Sequence, residues 1–277
     1  MKPVPFDYVR VEKISEIFDA FDSYGQDARI LAGGQSLMAM LNYRLARPKA
    51  LIDISRCPEL AYVRVEKGAL VVGAAATQAS VEWRESLERE VPLLKLAFPF
   101  ISHFQIRNRG TVCGSIAHAD PSAELPLCLT ALQGEVVLLA RHGQRILKPD
   151  EFFTGMLSTA VEPGELVKEV RFPLVADGHR YAFDEVAMRR GDFAVAGVAL
   201  DASPLEISLT VGGVADRPVR RTWPSSLAES DVDDALNEFA WDLQAQSDSH
   251  ASAEYRRHLV RELGRKLIFG TRHETVS

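Results

Sequence analysis

Ala28-Arg29-Ile30-Leu31-Ala32-Gly33-Gly34-Gln35-Ser36-Leu37-Met38-Ala39-Met40-Leu41 takes the chain from a short apolar run, through a glycine pair, into residues spaced for a helix. Residues 28–32 read as a buried strand, and Leu37, Met40, Leu41 and Leu45 form a helical stripe that Pro48 stops. Ala50-Leu51-Ile52-Asp53-Ile54 follows as a second strand, so the glycine turn belongs to a small β–α–β unit. Upstream, residues 14–21 place apolar side chains at helical spacing, with Ser15 as the expected cap and Tyr24-Gly25 as the stop.

A second glycine turn lies far along the chain, at Thr111-Val112-Cys113-Gly114-Ser115-Ile116-Ala117. Each turn offers backbone N–H groups and small hydroxyls. That pairing suits a diphosphate, because glycine admits close backbone approach and N–H dipoles neutralise the oxygens without a lysine. Two such turns point to a dinucleotide gripped from both sides. The Gly33-Gly34 turn lacks the Gly-x-Gly-x-x-Gly spacing of a Rossmann site and the lysine of a P-loop. A Cβ on Gly33 or Gly34 is expected to intrude where the backbone meets the diphosphate.

The rest of the chain alternates. Residues 61–66 and 69–74 read as a hairpin about Lys67-Gly68, and Thr77 caps a helix expected to run past Trp83. Val91-Pro92 opens another helix, residues 125–132 are helical, and residues 135–140 form a strand turning at His142-Gly143. Residues 167–172 supply a further strand, ended by Pro173. Organisation changes at Leu174-Val175-Ala176-Asp177-Gly178. Strands are expected over 182–188, 194–202 and 205–211, then helices from 225 to about 269. The basic run in Tyr255-Arg256-Arg257-His258-Leu259-Val260-Arg261 reads as a solvated or subunit-facing helix face.

Composition excludes several classes. The 277 residues are 47% hydrophobic, enough for two domains. With 32 basic against 38 acidic residues the net charge is -6, which argues against nucleic acid as partner. No apolar run approaches the roughly 20 residues of a membrane span, and the N-terminus lacks a signal pattern, so a cytoplasmic location is expected. The three cysteines, Cys57, Cys113 and Cys128, form no Cys-x-x-Cys pair and are too few for an all-cysteine iron–sulfur cluster. His118 and Asp120 read as loop packing, and no metal site is expected.

The glycine motifs also carry a resemblance. Ala32-Gly33-Gly34-Gln35-Ser36-Leu37, the run from Arg107-Asn108-Arg109-Gly110 through Ala119-Asp120-Pro121-Ser122-Ala123-Glu124-Leu125-Pro126, Arg189-Arg190-Gly191-Asp192-Phe193 and Gly212-Gly213-Val214-Ala215-Asp216-Arg217-Pro218 together resemble the FAD-binding medium subunits of molybdenum hydroxylases, the group of carbon monoxide dehydrogenase and xanthine dehydrogenase. The likeness runs in order from about Phe6 to Leu267. It implies an α+β chain: a vanillyl-alcohol-oxidase-like FAD-binding domain over 1–173, with subdomains of about 1–55 and 56–173, and a C-terminal domain of antiparallel sheet plus helices over 174–277. By the same resemblance Ala32, Gly33, Gly34, Gln35 and Ser36, with Thr111, Val112, Cys113, Gly114 and Ser115, meet the FAD pyrophosphate and ribitol. Glu124 matches a flavin-contacting position that is often aspartate, so its longer side chain must fold back. Cys113 departs from a family glycine, and is strained if that position requires a positive φ.

The implied role is electron transfer. A large partner subunit holds the molybdenum cofactor, a small one holds two-iron, two-sulfur clusters, and the FAD here passes electrons to an external acceptor, in a dimer of heterotrimers. No catalytic acid–base dyad is expected on this chain. Two alternatives stand beside it: a stand-alone FAD-dependent oxidase or dehydrogenase, and a subunit whose flavin site has decayed at Cys113.

Overall fold

The computed structural model describes residues 2–273. The chain opens with β1 (Asp7–Arg10), α1 (Ile14–Tyr24), β2 (Ala28–Leu31), α2 (Leu37–Asn42) and β3 (Ala50–Asp53). The three strands pair in parallel in the order β1-β3-β2, and central β3 is buried throughout. The glycine pair joins β2 to α2 as its sequence implies. Ser15 does not cap α1. The helix starts one residue before it, and the Glu16 carboxylate reaches back to accept from the Glu12 amide at 2.7 Å and the Lys13 amide at 3.3 Å.

A second unit follows, built on β4 (Val63–Glu66) and β5 (Ala69–Gly73). Thr77 Oγ1 accepts from the Ser80 amide and caps α3 (Gln78–Glu82), which closes at Trp83 rather than running past it. The short helices α4 (Leu87–Glu90), α5 (Pro92–Ala97), α6 (Phe104–Arg107), α7 (Val112–His118) and α8 (Glu124–Ala131) lead on to β6 (Glu135–Ala140) and β7 (Gly143–Leu147). A last helix, α9 (Pro149–Phe152), precedes the small ribbon β8 (Phe153–Gly155) and β9 (Ser158–Thr159), and then β10 (Leu166–Pro173). β10 runs down the middle of an antiparallel sheet ordered β4-β5-β10-β6-β7. Val72, Val136, Leu138, Val170 and Phe172 seal its inner face against α7 and α8, in one core shared with the first unit.

The final unit is an antiparallel meander of β11 (Arg180–Ala187), β12 (Ala194–Ala202), β13 (Glu206–Gly212) and β14 (Val219–Pro224). Two helices complete it, α10 (Val232–Asp242) and α11 (Ala253–His273), with non-helical residues 243–252 between them inside the stretch expected to be helical. β12 is covered on both faces. Ala196, Val198 and Leu200 enter the core under α10 and α11, while Ala199 joins the first core beside α8. Double burial explains why Ala194-Val195-Ala196-Gly197-Val198-Ala199-Leu200 is apolar without alternation. Close packing against α8 needs missing side chains too: a Cβ on Gly197 would lie 3.2 Å from Leu127 Cδ2, and one on Gly212 3.0 Å from Pro121 O. Buried Arg256 of α11 donates to the Val195 and Gly213 carbonyls and locks the helix onto the sheet.

Candidate functional site

The two glycine turns, some eighty residues apart in sequence, touch. A Cβ on Gly33 would stand 2.2 Å from Arg109 O and 2.6 Å from Gly110 Cα, distances no real Cβ tolerates. One on Gly114 would stand 2.6 Å from Thr111 Oγ1, with Ala32 Cβ 4.0 Å away on its other side. Gly34 holds φ +73°, where a side chain is strained. The obstacle to a side chain at Gly33 is therefore the other turn, and at Gly34 the backbone itself; neither needs the diphosphate to explain it. The second turn is anchored from behind by the Gln78 amide, which donates to Gly110 O at 2.8 Å.

What the turns present is backbone. From Ala32 to Ser36 no amide donates to an acceptor among the described residues, while Gly34 O and Ser36 O accept the first bonds of α2. The Gln35 side chain folds back to donate to Gly33 O at 3.1 Å. In the second turn the amides are mostly committed: Val112 to Ala76 O at 3.4 Å, Gly114 to Thr111 Oγ1 at 3.0 Å and Ser115 to Thr111 O at 3.2 Å. That of Cys113 has no acceptor among the described residues.

These residues border a cleft of about 900 Å³, within the range of a cofactor site. Ala32, Gly33, Gly34, Gln35, Ser36, Thr111, Cys113, Gly114, Ser115 and Glu124 all line it. Val112 does not. Its side chain is in the core and its amide is taken, so it supports the turn from beneath. Cys113 lies within α7, not at a positive φ, and its thiol donates to Val72 O at 3.3 Å inside the core. The strain expected of a cysteine there is absent.

Two residues outside the expected set shape the cleft. Gln78, 6% exposed, lines it with an Oε1 that has no hydrogen-bond partner among the described residues. Arg107 makes a two-pronged ion pair with Glu82 at 2.7 and 2.8 Å and donates to Ile101 O and Ser102 O, fixing one wall. Arg107 belongs to the quoted motif, but nothing in its spacing marks it as a brace. The adjoining rim comes from the C-terminal unit: Gly191, Asp192 and Phe193 line the cleft, and Gly191 at φ +85° packs against Ser102 and His103. Glu124, buried at the start of α8, has its carboxyl pushed up to about 7 by burial, with Asp120 adding and Arg107 opposing. The row of unpartnered amides suits a diphosphate, and the apolar lining with Gln78 and Glu124 suits a flat polar-edged ring, so the residues fit FAD.

A family described as the FAD-binding domain in molybdopterin dehydrogenase matches residues 4–175. The CO dehydrogenase flavoprotein C-terminal domain matches residues 181–269. The alpha subunit of the 6-hydroxypseudooxynicotine dehydrogenase complex of Paenarthrobacter nicotinovorans is 34% identical, over 99% of this chain and 96% of its own. The solved structure of quinoline 2-oxidoreductase from Pseudomonas putida 86 superposes with a TM-score of 0.91 at 30% identity, covering 98% of both chains. A chain of the Cu,Mo-CO dehydrogenase does so with a TM-score of 0.90 at 30% identity, over 96% of this chain and 97% of that one.

Proposed function

Because the chain belongs to the FAD-binding subunits of the carbon monoxide and xanthine dehydrogenase family, we propose that it is the electron relay of a three-subunit molybdenum hydroxylase. Membership makes it an FAD-carrying oxidoreductase subunit; the relay, its partners and the site residues are our reading. Ala32, Gly33, Gly34, Gln35 and Ser36 hold the diphosphate through their free amides, with the Cys113 amide and the Ser115 side of the second turn facing them. Thr111 and Gly114 set the second turn's shape, Val112 carries it from beneath, Gln78 packs beside Gly110 where the turns meet, and Glu124 serves the ring end. The division between domains is placed at 173/174.

Bound FAD supplies a ring that accepts electrons from two-iron, two-sulfur clusters of a small partner and yields them to an acceptor outside the chain. This chain's residues bind it, orient it and close the cleft from the Gly191–Phe193 side, while substrate chemistry belongs to a large partner carrying the molybdenum cofactor. The observation that carries the reading is the interlock of the two turns beside a row of free amides. No helix among the described residues is long and apolar enough to cross a membrane. The test is purification. A yellow chain inert by itself, recovered from its source with two other subunits, supports the relay; a yellow chain that turns over substrate alone overturns it.

A further inference from the structure

Glu185, on β11, was singled out by no motif. It faces α8 across the seam between the units: the Cβ that Gly197 lacks would lie 3.2 Å from Leu127 Cδ2 and 3.7 Å from Glu185 Cβ. Leu127 is three residues after Glu124 and Cys128 four, so both share Glu124's side of the helix. The Cys128 thiol, fully buried, feels the charge of both Glu124 and Glu185. Glu185 Oε2 is out of contact with solvent and has no hydrogen-bond partner among the described residues. Glu124 lines the cleft and Glu185 does not.

We propose that Glu124 and Glu185 act as one carboxyl–carboxylate pair, and that Glu185 acts through Glu124 to link occupation of the cleft by an anionic dinucleotide to uptake of a proton from solvent. This rests on the cleft being the FAD site. Two carboxyls that feel each other's charge where burial disfavours ionisation cannot both stay charged cheaply, so one keeps a proton. The directions agree: burial and the charge of Glu124 push Glu185 up to about 8, and burial pushes Glu124 up to about 7. Three further charged groups reach the pair. Asp120, before α8, and Asp184, on β11, oppose ionisation, and Arg107 of α6 favours it. Arg107 is tied to Glu82 and Asp184 to Lys266 of α11, which leaves little cation to spare for the pair. A diphosphate arriving in the cleft adds negative charge, raises both carboxyls further and draws in a proton. No bond other than O–H forms, and the proton comes from buffer.

The experiment is titration of the purified full chain, freed of flavin, with FAD in two buffers of different ionisation heat, near neutral pH. Wild type should take up a measurable fraction of a proton per FAD, and its affinity should weaken as pH rises, by at most about tenfold per pH unit for one linked proton. Glu185→Gln should bind FAD with a smaller proton uptake, shifted to lower pH because Glu124 then titrates alone, and with a correspondingly shallower pH dependence, a change a purely structural role would not produce. Uptake unchanged in that variant overturns the pairing. Should the variant not fold, the wild-type chain without FAD decides: its melting temperature should fall between pH 6 and 9 as the pair is forced to ionise, and a flat profile there overturns the proposal. Failure of FAD to bind at all counts against the FAD site, while the melting profile still tests the pair.

Discussion

The Cβ position of Gly33 lies 2.2 Å from the carbonyl oxygen of Arg109, so the two turns that border the cleft are interlocked through backbone. A side chain at Gly33 would push the two apart. The cleft is then a property of the first unit docked against the second, which is why a glycine at the junction is a structural requirement before any ligand arrives.

Gly33→Ala should therefore wedge the turns apart. The expected cost is about 1–3 kcal/mol from overpacking, seen in urea melts, together with loss of most FAD absorbance. Gly143→Ala is the control, because nothing lies within 4 Å of its missing Cβ. A Gly33→Ala protein of wild-type stability and full flavin content would remove the interlock.

Cys113→Gly should leave FAD affinity unchanged. The thiol donates into the core and the residue is helical, so glycine relieves no strain and costs about 1 kcal/mol of helix propensity in addition to the lost packing. Burial holds the Cys113 and Cys128 thiols well above the ordinary range, and Cys57 is also buried. A thiol reagent at mildly alkaline pH should label almost none of the three until denaturant is added. Rapid labelling of the native chain would contradict this packing.

The glycine turns, the central strands and the α+β layout were legible because those segments are strongly apolar and punctuated by glycine and proline. Five strands were not: β1, β7 and β14, each at the edge of its sheet, and the two- and three-residue strands of the β8–β9 ribbon, too short to show any alternation. Val219-Arg220-Arg221-Thr222-Trp223-Pro224 has the charged, half-exposed make-up that edges carry, and so lacks the alternation that signals a strand. The end of α3 at Trp83 was missed because no glycine or proline marks it in the sequence. Of the candidate site, the glycine turns that line the cleft were legible in the sequence and the side chains around them were not. Gln78, Arg107 and Glu185 matter through partners 25 or more residues away or through having none, and no spacing rule reports that.

Arg107→Ala should destabilise by about 3–5 kcal/mol, since Glu82, 12% exposed, would be left as an unpaired buried carboxylate. Ile101 O and Ser102 O would lose their donor as well. Arg107→Lys should recover only part of the loss, because an ammonium cannot satisfy the two prongs and two carbonyls from one plane. Chemical denaturation measures the cost, and FAD titration should show weaker binding as the Ile101–Ser102 wall loosens. An alanine variant within 1 kcal/mol of wild type would show that this brace carries little.

Asp248 sets the acid limit of the C-terminal unit. It accepts from the Ala251 and His250 amides at 3.0 and 2.8 Å and pairs with Arg256, whose other arm holds the Val195 and Gly213 carbonyls. Those two amides, then Arg256, pull its carboxyl down from 3.8 to about 2. A carboxylate whose value is lower folded than unfolded stabilises the fold above the unfolded value, and that contribution fades as pH falls through the folded one. Wild type should thus lose stability between pH 4 and 2 on this account. Asp248→Asn, which cannot titrate, should be less stable at neutral pH yet show a shallower acid limb over the same window. Because Gly213 also donates its amide to Pro121 O, just ahead of α8, loosening Arg256 should slacken the seam beside Glu124 too. Urea melts at pH 7, 4 and 2.5 decide it: parallel losses in wild type and Asp248→Asn would mean that the acid sensitivity arises elsewhere.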